Sequence, residues 1–271
     1  MKKLLLTIFV LLFIQLNSYA LDSAIKFIQV TDVHFQAGNE FCVNTLTNTV
    51  TDINKQKGIS FVIFTGDNID RANAKDLIAF IKIANKLHRP YYLVLGNHDV
   101  FKSQDLSKEQ YNEVVRAHKF WPYRKWNYSF RKNGYTFIVL DGAKEVIPGP
   151  AGYFRQDTLT WFDKELKKNE NHPVIIFQHY PIIESPDFGR GRIKTHKTYK
   201  VEDYYEVLNK HDNVLAIISG HYHVNSESMK DGIYHINTPT LMAEPHYYKI
   251  IDIVTQKGLS PIIYTQLKEV E

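Results

Sequence analysis

The chain of 271 residues is 44% apolar and 23% charged, a globular balance that excludes a disordered or fibrous protein and allows a substantial core. Its formal net charge of +4 comes without a concentrated basic stripe, so specific nucleic-acid binding is not expected. Cys42 is the only cysteine; it excludes an internal disulfide and reads as a small buried apolar group.

The first twenty residues stand apart. Lys2 and Lys3 precede an apolar run over 4–13, and Ser18-Tyr19-Ala20 supplies the small residues of a peptidase site. Residues 1–20 are therefore expected to form a signal peptide cleaved after Ala20, since a permanent anchor would need a longer apolar run. Export to the periplasm or secretion follows, with no membrane span left in the mature chain. Residues 21–271 show no repeat, low-complexity stretch or linker and read as one domain.

Residues 24–30 alternate in polarity and read as a first strand. It runs into Asp32-Val33-His34, where extended backbone would point the two polar side chains the same way. Leu46, Val50 and Ile53 predict an outer helix ending near Gly58. The apolar run 61–64 suits a strand buried on both faces. Gly66 lets the chain turn sharply and present Asp67, with Asp70 just beyond.

Asn73 is a candidate N-cap for a helix whose apolar face is Leu77, Ile78, Ile81, Ala84 and Leu87, closed by Pro90. Strand 91–95 then delivers Gly96-Asn97-His98-Asp99. The β-α-β unit over 61–95 places both strand ends on one edge, bringing Asp67 and Asn97 together.

Residues 101–125 lack regular periodicity. With Phe120, Trp121 and Tyr123, and Trp126 close behind, they read as a loop packed on the core or as a cleft wall. Asn133-Gly134 predicts a hairpin over 126–140, with Asp141 a turn residue at its end. Leu159, Phe162 and Leu166 mark a helix capped by Asp157. Strand 173–177 delivers Gln178-His179-Tyr180-Pro181, and a loop over 182–200 carries Arg190, Arg192, Lys194 and Lys197. A short helix near 202–210 and a strand over 214–218 lead to Gly220-His221-Tyr222-His223. Segments 233–236, 247–254 and 261–264 read as antiparallel strands, the last two joined by a turn at 256–258.

Five buried-looking strands thus end in metal-competent or acid–base side chains. The other histidines, His88, His118, His172, His196, His211, His235 and His246, lack such placement and read as surface or structural groups. The ordered set Asp32-x-His34, Gly66-Asp67-x-x-Asp70, Gly96-Asn97-His98-Asp99, His179 and Gly220-His221-x-His223 resembles the calcineurin-like metallophosphoesterase superfamily. The resemblance spans residues 32–223 without a missing block.

It implies an α/β fold of two mixed β-sheets packed as a sandwich and flanked by helices, in four α/β/β/α layers. It also implies two metal ions, one held by Asp32, His34 and His223 and the other by Asn97, His179 and His221, with Asp67 bridging. Nitrogen and oxygen ligands without thiolate suit manganese, iron, zinc or cobalt and do not choose among them. The implied reaction is hydrolysis of phosphomonoesters or small phosphodiesters by a hydroxide bridging the metals. His98 would protonate the leaving oxygen, and the Asp70 carboxylate would orient it. Asn97, Arg190 and Arg192 are candidate contacts to the substrate phosphate.

The block from Gly66 to Asp70 offers no tyrosine, which disfavours the tyrosinate–iron centre of purple acid phosphatases. The chain past His223 is short for the extra domain of secreted nucleotidases. Its size is closer to the bacterial cyclic-nucleotide phosphodiesterases, a group typically cytoplasmic. A cyclic-nucleotide phosphodiesterase, a phosphoprotein phosphatase and a catalytically silent binding protein are the alternatives; a silent member would be expected to have lost ligands.

Overall fold

The computed structural model of the protein describes residues 21–104, 106–185, 196–256 and 259–271. In chain order the strands are β1 (Leu21–Val30), β2 (Val62–Phe64), β3 (Tyr91–Leu93), β4 (Tyr128–Lys132), β5 (Tyr135–Val139), β6 (Val174–Phe177), β7 (Val214–Ser219), β8 (Ser226–Lys230), β9 (Ile233–Asn237), β10 (Tyr247–Gln256) and β11 (Ile262–Glu269). The helices are α1 (Glu40–Lys55), α2 (Ala74–Ala84), α3 (Lys108–His118), α4 (Gln156–Lys168) and α5 (Val201–Leu208). One sheet has the order β11-β10-β1-β2-β3 and the other β4-β5-β6-β7-β9-β8. Strands β1, β2 and β3 are mutually parallel, as are β5, β6, β7 and β9.

The period-2 alternation of the strands separates two apolar layers. Phe137, Val139, Ile175, Phe177, Ala216 and Ile218 face the first sheet. Their neighbours Ile138, Leu140, Val174, Ile176 and Ile217 instead face Leu159, Phe162 and Leu166 of α4 and Tyr204, Val207 and Leu208 of α5. Between the sheets, Phe27 stacks on Phe61 at 4.9 Å and meets Phe137 and Phe177 edge-on at 5.8 and 5.5 Å, geometries that aromatic quadrupoles favour. On the outer side of the first sheet Phe80 of α2 meets Phe64 at 5.1 Å. Asp52 of α1 accepts the Tyr248 hydroxyl of β10 at 2.8 Å. The expected sandwich with outer helices is the observed one.

Gln29 crosses between the sheets through a fully bonded side chain. Its Nε2 donates to Thr65 Oγ1 at 2.9 Å and to the Ser219 carbonyl at 2.8 Å, while its Oε1 accepts from Thr238 Oγ1 at 2.7 Å. This aligns the ends of the central parallel strands, where the site lies.

Several local expectations are corrected. Residues 101–125 contain α3, opened by a reciprocal capping box between Ser107 and Gln110. Its buried face holds only Tyr111, Asn112 and Val115, too little apolar material to stand out by periodicity, although Ser-x-x-Gln is a start signal in its own right. Trp121 and Trp126 are buried on the core, and neither lines the cavity over the strand ends. Along α2 the buried position is Phe80, and Ile78 lies on the exposed side. Asp157 is the second residue of α4; Arg155 occupies the cap position without a side-chain cap bond. Asp157 Oδ1 still accepts its neighbour Thr158's N–H at 3.0 Å. β9 joins the second sheet parallel to β7. It is preceded by β8, a largely exposed, polar edge strand with no apolar alternation to betray it. In the predicted hairpin, Asn133 and Gly134 have φ of 49° and 83°, the paired positive values that a two-residue turn requires. The expected turn at 256–258 lies partly outside the described residues.

Candidate metal centre

The parallel strands of both sheets end on one edge, and every strand-end residue singled out by sequence lies there. Asp32, His34, Asp67, His221 and His223 adopt left-handed backbone, with φ of 50°, 42°, 50°, 70° and 56°. Such values cost non-glycine residues of order 1–3 kcal/mol each and persist only where the surroundings impose them. Asp32 and His34 thus converge through local turns; the extended backbone expected for them is not what forms.

Backbone bonds impose these turns. The Asp32 N–H donates to the Gly66 carbonyl at 3.1 Å, the His34 N–H to the Asp67 carbonyl at 2.9 Å, and the Gly220 N–H to the His179 carbonyl at 3.1 Å. The approach is so close that a Cβ on Gly96 would lie 2.1 Å from Asp67 Oδ1, and one on Gly220 would lie 2.0 Å from Thr31 Oγ1. Only glycine fits either position.

Among the described residues three overlapping sets of candidate ligands result, one of them His34, Asp67 and His98. The nitrogen and oxygen atoms of Asp32, His34 and His223 lie within 4.8 Å of one another, and so do those of Asp67, His179 and His221. His223 Nε2 is 3.1 Å from Asp32 Oδ1 and 3.4 Å from His34 Nε2. Asp67 Oδ2 stands between the sets, 3.8 Å from His34 Nε2 and 3.3 Å from His179 Nε2.

Lone-pair directions test whether cations fit. His179 donates its Nδ1–H to the Thr65 carbonyl at 2.9 Å, and His221 donates its Nε2–H to the His196 carbonyl at 3.1 Å. These bonds leave His179 Nε2 and His221 Nδ1 as lone pairs facing each other at 3.1 Å, beside the Asp67 carboxylate. Asn97 Oδ1 is also buried with no hydrogen-bond partner, and Asn97 lines the same cavity. Acceptors facing acceptors repel unless a cation or proton sits among them. The donor set therefore fits metal ions.

Electrostatics give the same picture. Burial favours neutral His179, but Asp67 lifts its pKa to about 9. Burial likewise raises Asp67, yet His179 holds it well below the usual carboxylate range. Burial and then the neighbouring His179 hold His221 down to about 3. The cluster thus calls for one shared positive charge at its centre, a role a proton fills only as a substitute.

His98 occupies the other side of Asp67. Its N–H donates to Asp67 Oδ1 at 2.9 Å, its ring meets His34 edge-on at 4.6 Å, and its Nδ1–H donates to the backbone carbonyl of Asp70 at 2.7 Å. This corrects the role expected of the Asp70 carboxylate. The pairing of Phe35 with Ile69 sets residue 70 so that its carbonyl meets His98, while Asp70 Oδ1 lies 3.7 Å from His34 Nδ1. An uncharged carbonyl fixes the tautomer and orientation of His98 without the charge of a carboxylate.

Asp99 is the hidden brace of this region. Its carboxylate accepts the N–H groups of Asn68, Ile69 and Gly96 at 2.9, 3.2 and 2.8 Å, and Asn68 Nδ2 at 3.0 Å. It thereby locks the loop after β2 to the loop after β3. Burial, then the charge of Asp67, raise its pKa to about 7.

A cavity of about 400 Å³ opens over the cluster, with Pro148, Gly149, Pro150, His196 and Tyr222 on its walls besides the ligands and His98. His196, expected to be a surface or structural residue, is thus part of the site. No spacing signal marks it, because it reaches His221 through its backbone carbonyl. Arg190, Arg192 and Lys194 lie outside the described residues, and Lys197 is exposed and off the cavity wall. Asp141 does not reach the ligands; it pairs with Lys108. A larger cavity of about 1170 Å³, lined in part by α3 and Trp126, contains none of the ligand residues.

Comparison with known proteins agrees with this geometry. The family model of the calcineurin-like phosphoesterases matches residues 25–225, and the chain belongs to that family. It is 25% identical over 220 residues to a protein of Arcobacter nitrofigilis named as a probable glycerophosphodiester phosphodiesterase, covering 72% of this chain and 71% of that one. It is 23% identical over 225 residues to a 3',5'-cyclic-nucleotide phosphodiesterase of Nostoc, covering 80% and 78%. A dimetal phosphatase of Danio rerio shares the fold with a TM-score of 0.65 and 16% identity, covering 90% of this chain and 99% of that one. The protein is therefore a metal-dependent hydrolase of the phosphoesterase type.

Proposed function

We propose that this metallophosphoesterase hydrolyses small phosphodiesters or phosphomonoesters in a two-metal site formed by Asp32, His34, Asp67, Asn97, His179, His221 and His223. The observation that carries the proposal is the convergence of two acceptor sets on Asp67, on the floor of a cavity of about 400 Å³. When bound there, two divalent cations supply Lewis-acid charge and a nucleophile at neutral pH. The names of the Arcobacter and Nostoc relatives favour diesters, cyclic nucleotides among them.

The chain's own groups do the remaining work. Asp67 belongs to the set with His179 and His221, lies 3.8 Å from His34 of the other set and, through its other oxygen, accepts the His98 N–H. His98 has its Nδ1–H committed to Asp70, which leaves Nε2 to carry and release the proton that the leaving oxygen needs. Pro148, Gly149 and Pro150 close one wall with little polar surface, limiting water beside the ester. A cavity of about 400 Å³ supports the reading of a small or protruding ester as substrate.

The test combines metal analysis with turnover of chromogenic mono- and diesters. Two metal ions per chain and measurable hydrolysis are expected; metal-loaded protein inactive on every ester would return the chain to the silent binding class. His98→Ala should keep both metals and lose about 10²–10⁴-fold in kcat, most for poor leaving groups. Equal losses for good and poor leaving groups would remove His98 as the acid.

We also propose export, supported by Lys2, Lys3, the apolar run over 4–13 and the small residues up to Ala20. Among the described residues no helix is long and apolar enough to cross a membrane. N-terminal sequencing of protein from the native cell should begin at Leu21; a retained Met1 would end the cleavage proposal.

A further inference from the structure

The larger cavity, of about 1170 Å³, lies between α3 and the start of α4, apart from the ligand cluster. Side chains stitch its floor together. The Trp126 indole N–H donates to the Lys108 carbonyl at 3.1 Å, Asn127 Nδ2 donates to Thr158 Oγ1 at 3.0 Å, and Asn127 Oδ1 accepts the Asp141 N–H at 2.8 Å. These bonds tie the segment after α3 to both helices and hold the opening between them.

Three features leave the opening chemically incomplete. Asn112 of α3 lines it and is only 7% exposed, yet its Oδ1 has no hydrogen-bond partner, a costly state for a buried acceptor. Helix α4 begins at the cavity with no side-chain cap bond from Arg155, which leaves first-turn N–H groups for an anion. Lys108 is paired with Asp141, and Arg155 with Asp157, but Arg116, Arg124, Lys125 and Lys144 have no ion-pair partner among the described residues. Of the remaining carboxylates on the wall, Glu145 accepts the Lys108 N–H at 2.7 Å, while Glu109 and Glu113 belong to the α3 side.

A buried acceptor calls for a donor, and unpaired cations beside a helix N-terminus call for an anion. One small molecule meets both needs if it carries a phosphate and a hydroxyl. A phosphate group brings about two negative charges and three strong acceptor oxygens at neutral pH, enough for guanidinium, ammonium and backbone donors to share. A carboxylate brings half that charge.

We propose that the cavity between α3 and α4 is a second binding site, for a small hydroxylated phosphomonoester whose phosphate lies among Arg124, Lys125 and the start of α4 and whose hydroxyl donates to Asn112 Oδ1. The site does not depend on the chemistry of the metal centre. It is nevertheless close to it: residues 144–147 line this cavity, and the next three residues, Pro148, Gly149 and Pro150, line the cavity over the ligands.

The experiment uses calorimetry on the full-length, metal-loaded protein with sn-glycerol 3-phosphate, and with inorganic phosphate and glycerate for comparison. A metal centre also attracts phosphate, so the variants decide which site is read. Arg124→Ala/Lys125→Ala should weaken one component of glycerol 3-phosphate binding roughly 10-fold or more, the usual loss of a hydrogen bond to a charged group, while metal content and kcat for a chromogenic diester stay near wild type. Asn112→Leu should keep the binding of inorganic phosphate and lose the preference for glycerol 3-phosphate, with thermal stability held or raised because the orphaned acceptor is gone. Glycerol 3-phosphate binding unchanged in the double variant would overturn the proposal. Equal affinity of that component for glycerate or inorganic phosphate would overturn the ligand class, as would a preference retained in Asn112→Leu. If wild type turns over no ester, the phosphoesterase reading fails, and the calorimetric comparison still decides this site.

Discussion

Gln29 in β1 and Asp67 in the loop after the neighbouring β2 are both buried polar residues, yet their surroundings are opposite. Around Gln29 every polar atom of the side chain meets a complementary partner: two acceptors for its nitrogen and one donor for its oxygen. Around Asp67 the neighbours Nε2 of His179 and Nδ1 of His221 are themselves acceptors, and Asn97 Oδ1 has no partner. The strand interiors resolve polar burial within the chain, whereas the strand ends require a cation to complete them. The left-handed residues Asp32, His34, Asp67, His221 and His223 all lie at those same ends, so the chain places strain where binding energy can offset it.

Removing the central charge should separate these two environments most strongly. Asp67→Asn keeps the shape and retains an oxygen for the His98 N–H, but deletes the anion common to both ligand sets. Activity should fall by at least ~10⁴-fold, a large part of a typical enzymatic rate enhancement, and bound metal should drop below two ions per chain by elemental analysis. Circular dichroism should stay native. Retention of both metals would show that Asp67 is not the shared ligand.

Much of this site was legible in the sequence because its chemistry resides in side-chain identity. Asp32, His34, Asp67, Asn97, His179, His221 and His223 each follow an apolar run, and parallel strands must end on one edge. What escaped was carried by the backbone. The Asp70 carbonyl orients His98 where a carboxylate was expected, and the His196 carbonyl orients His221; any residue has a carbonyl, so no residue type announces such a contact. Helix α3 escaped for a different reason. Its buried face of Tyr111, Asn112 and Val115 is too polar for a periodic signal, and packing against α2 and Trp126 completes what propensity leaves marginal.

A second prediction concerns the proton that stands in for metal. In metal-free protein His179 has its pKa raised to about 9, against burial and by Asp67. A raised histidine contributes stability that is complete below its unfolded pKa, near 6.5, and is lost as pH climbs through the folded value. Chelator-treated protein should therefore lose stability between about pH 6.5 and pH 9 or above. Metal-loaded protein should hold steady or gain there, since fewer protons compete for the ligands. At free metal one hundred times Kd the loaded form should be more stable by about 2.7 kcal/mol per site. Parallel urea-stability profiles for the two forms across this range would contradict the view that one cluster serves proton and metal alternately.

The smallest effect probes the satisfied side of the comparison. Gln29→Leu preserves volume but strands Thr65 Oγ1, the Ser219 carbonyl and the Thr238 hydroxyl in a buried site. Leaving such groups unbonded costs about 1–3 kcal/mol, which urea unfolding of loaded and stripped protein should register equally. Metal content and kcat should stay near wild type, because the ligand turns are tied by their own bonds from Asp32 to Gly66 and from His34 to Asp67. If metal affinity falls along with stability, the interior bridge and the strand ends are mechanically one unit. The left-handed turns would then owe their geometry to the inter-sheet link as much as to their local bonds.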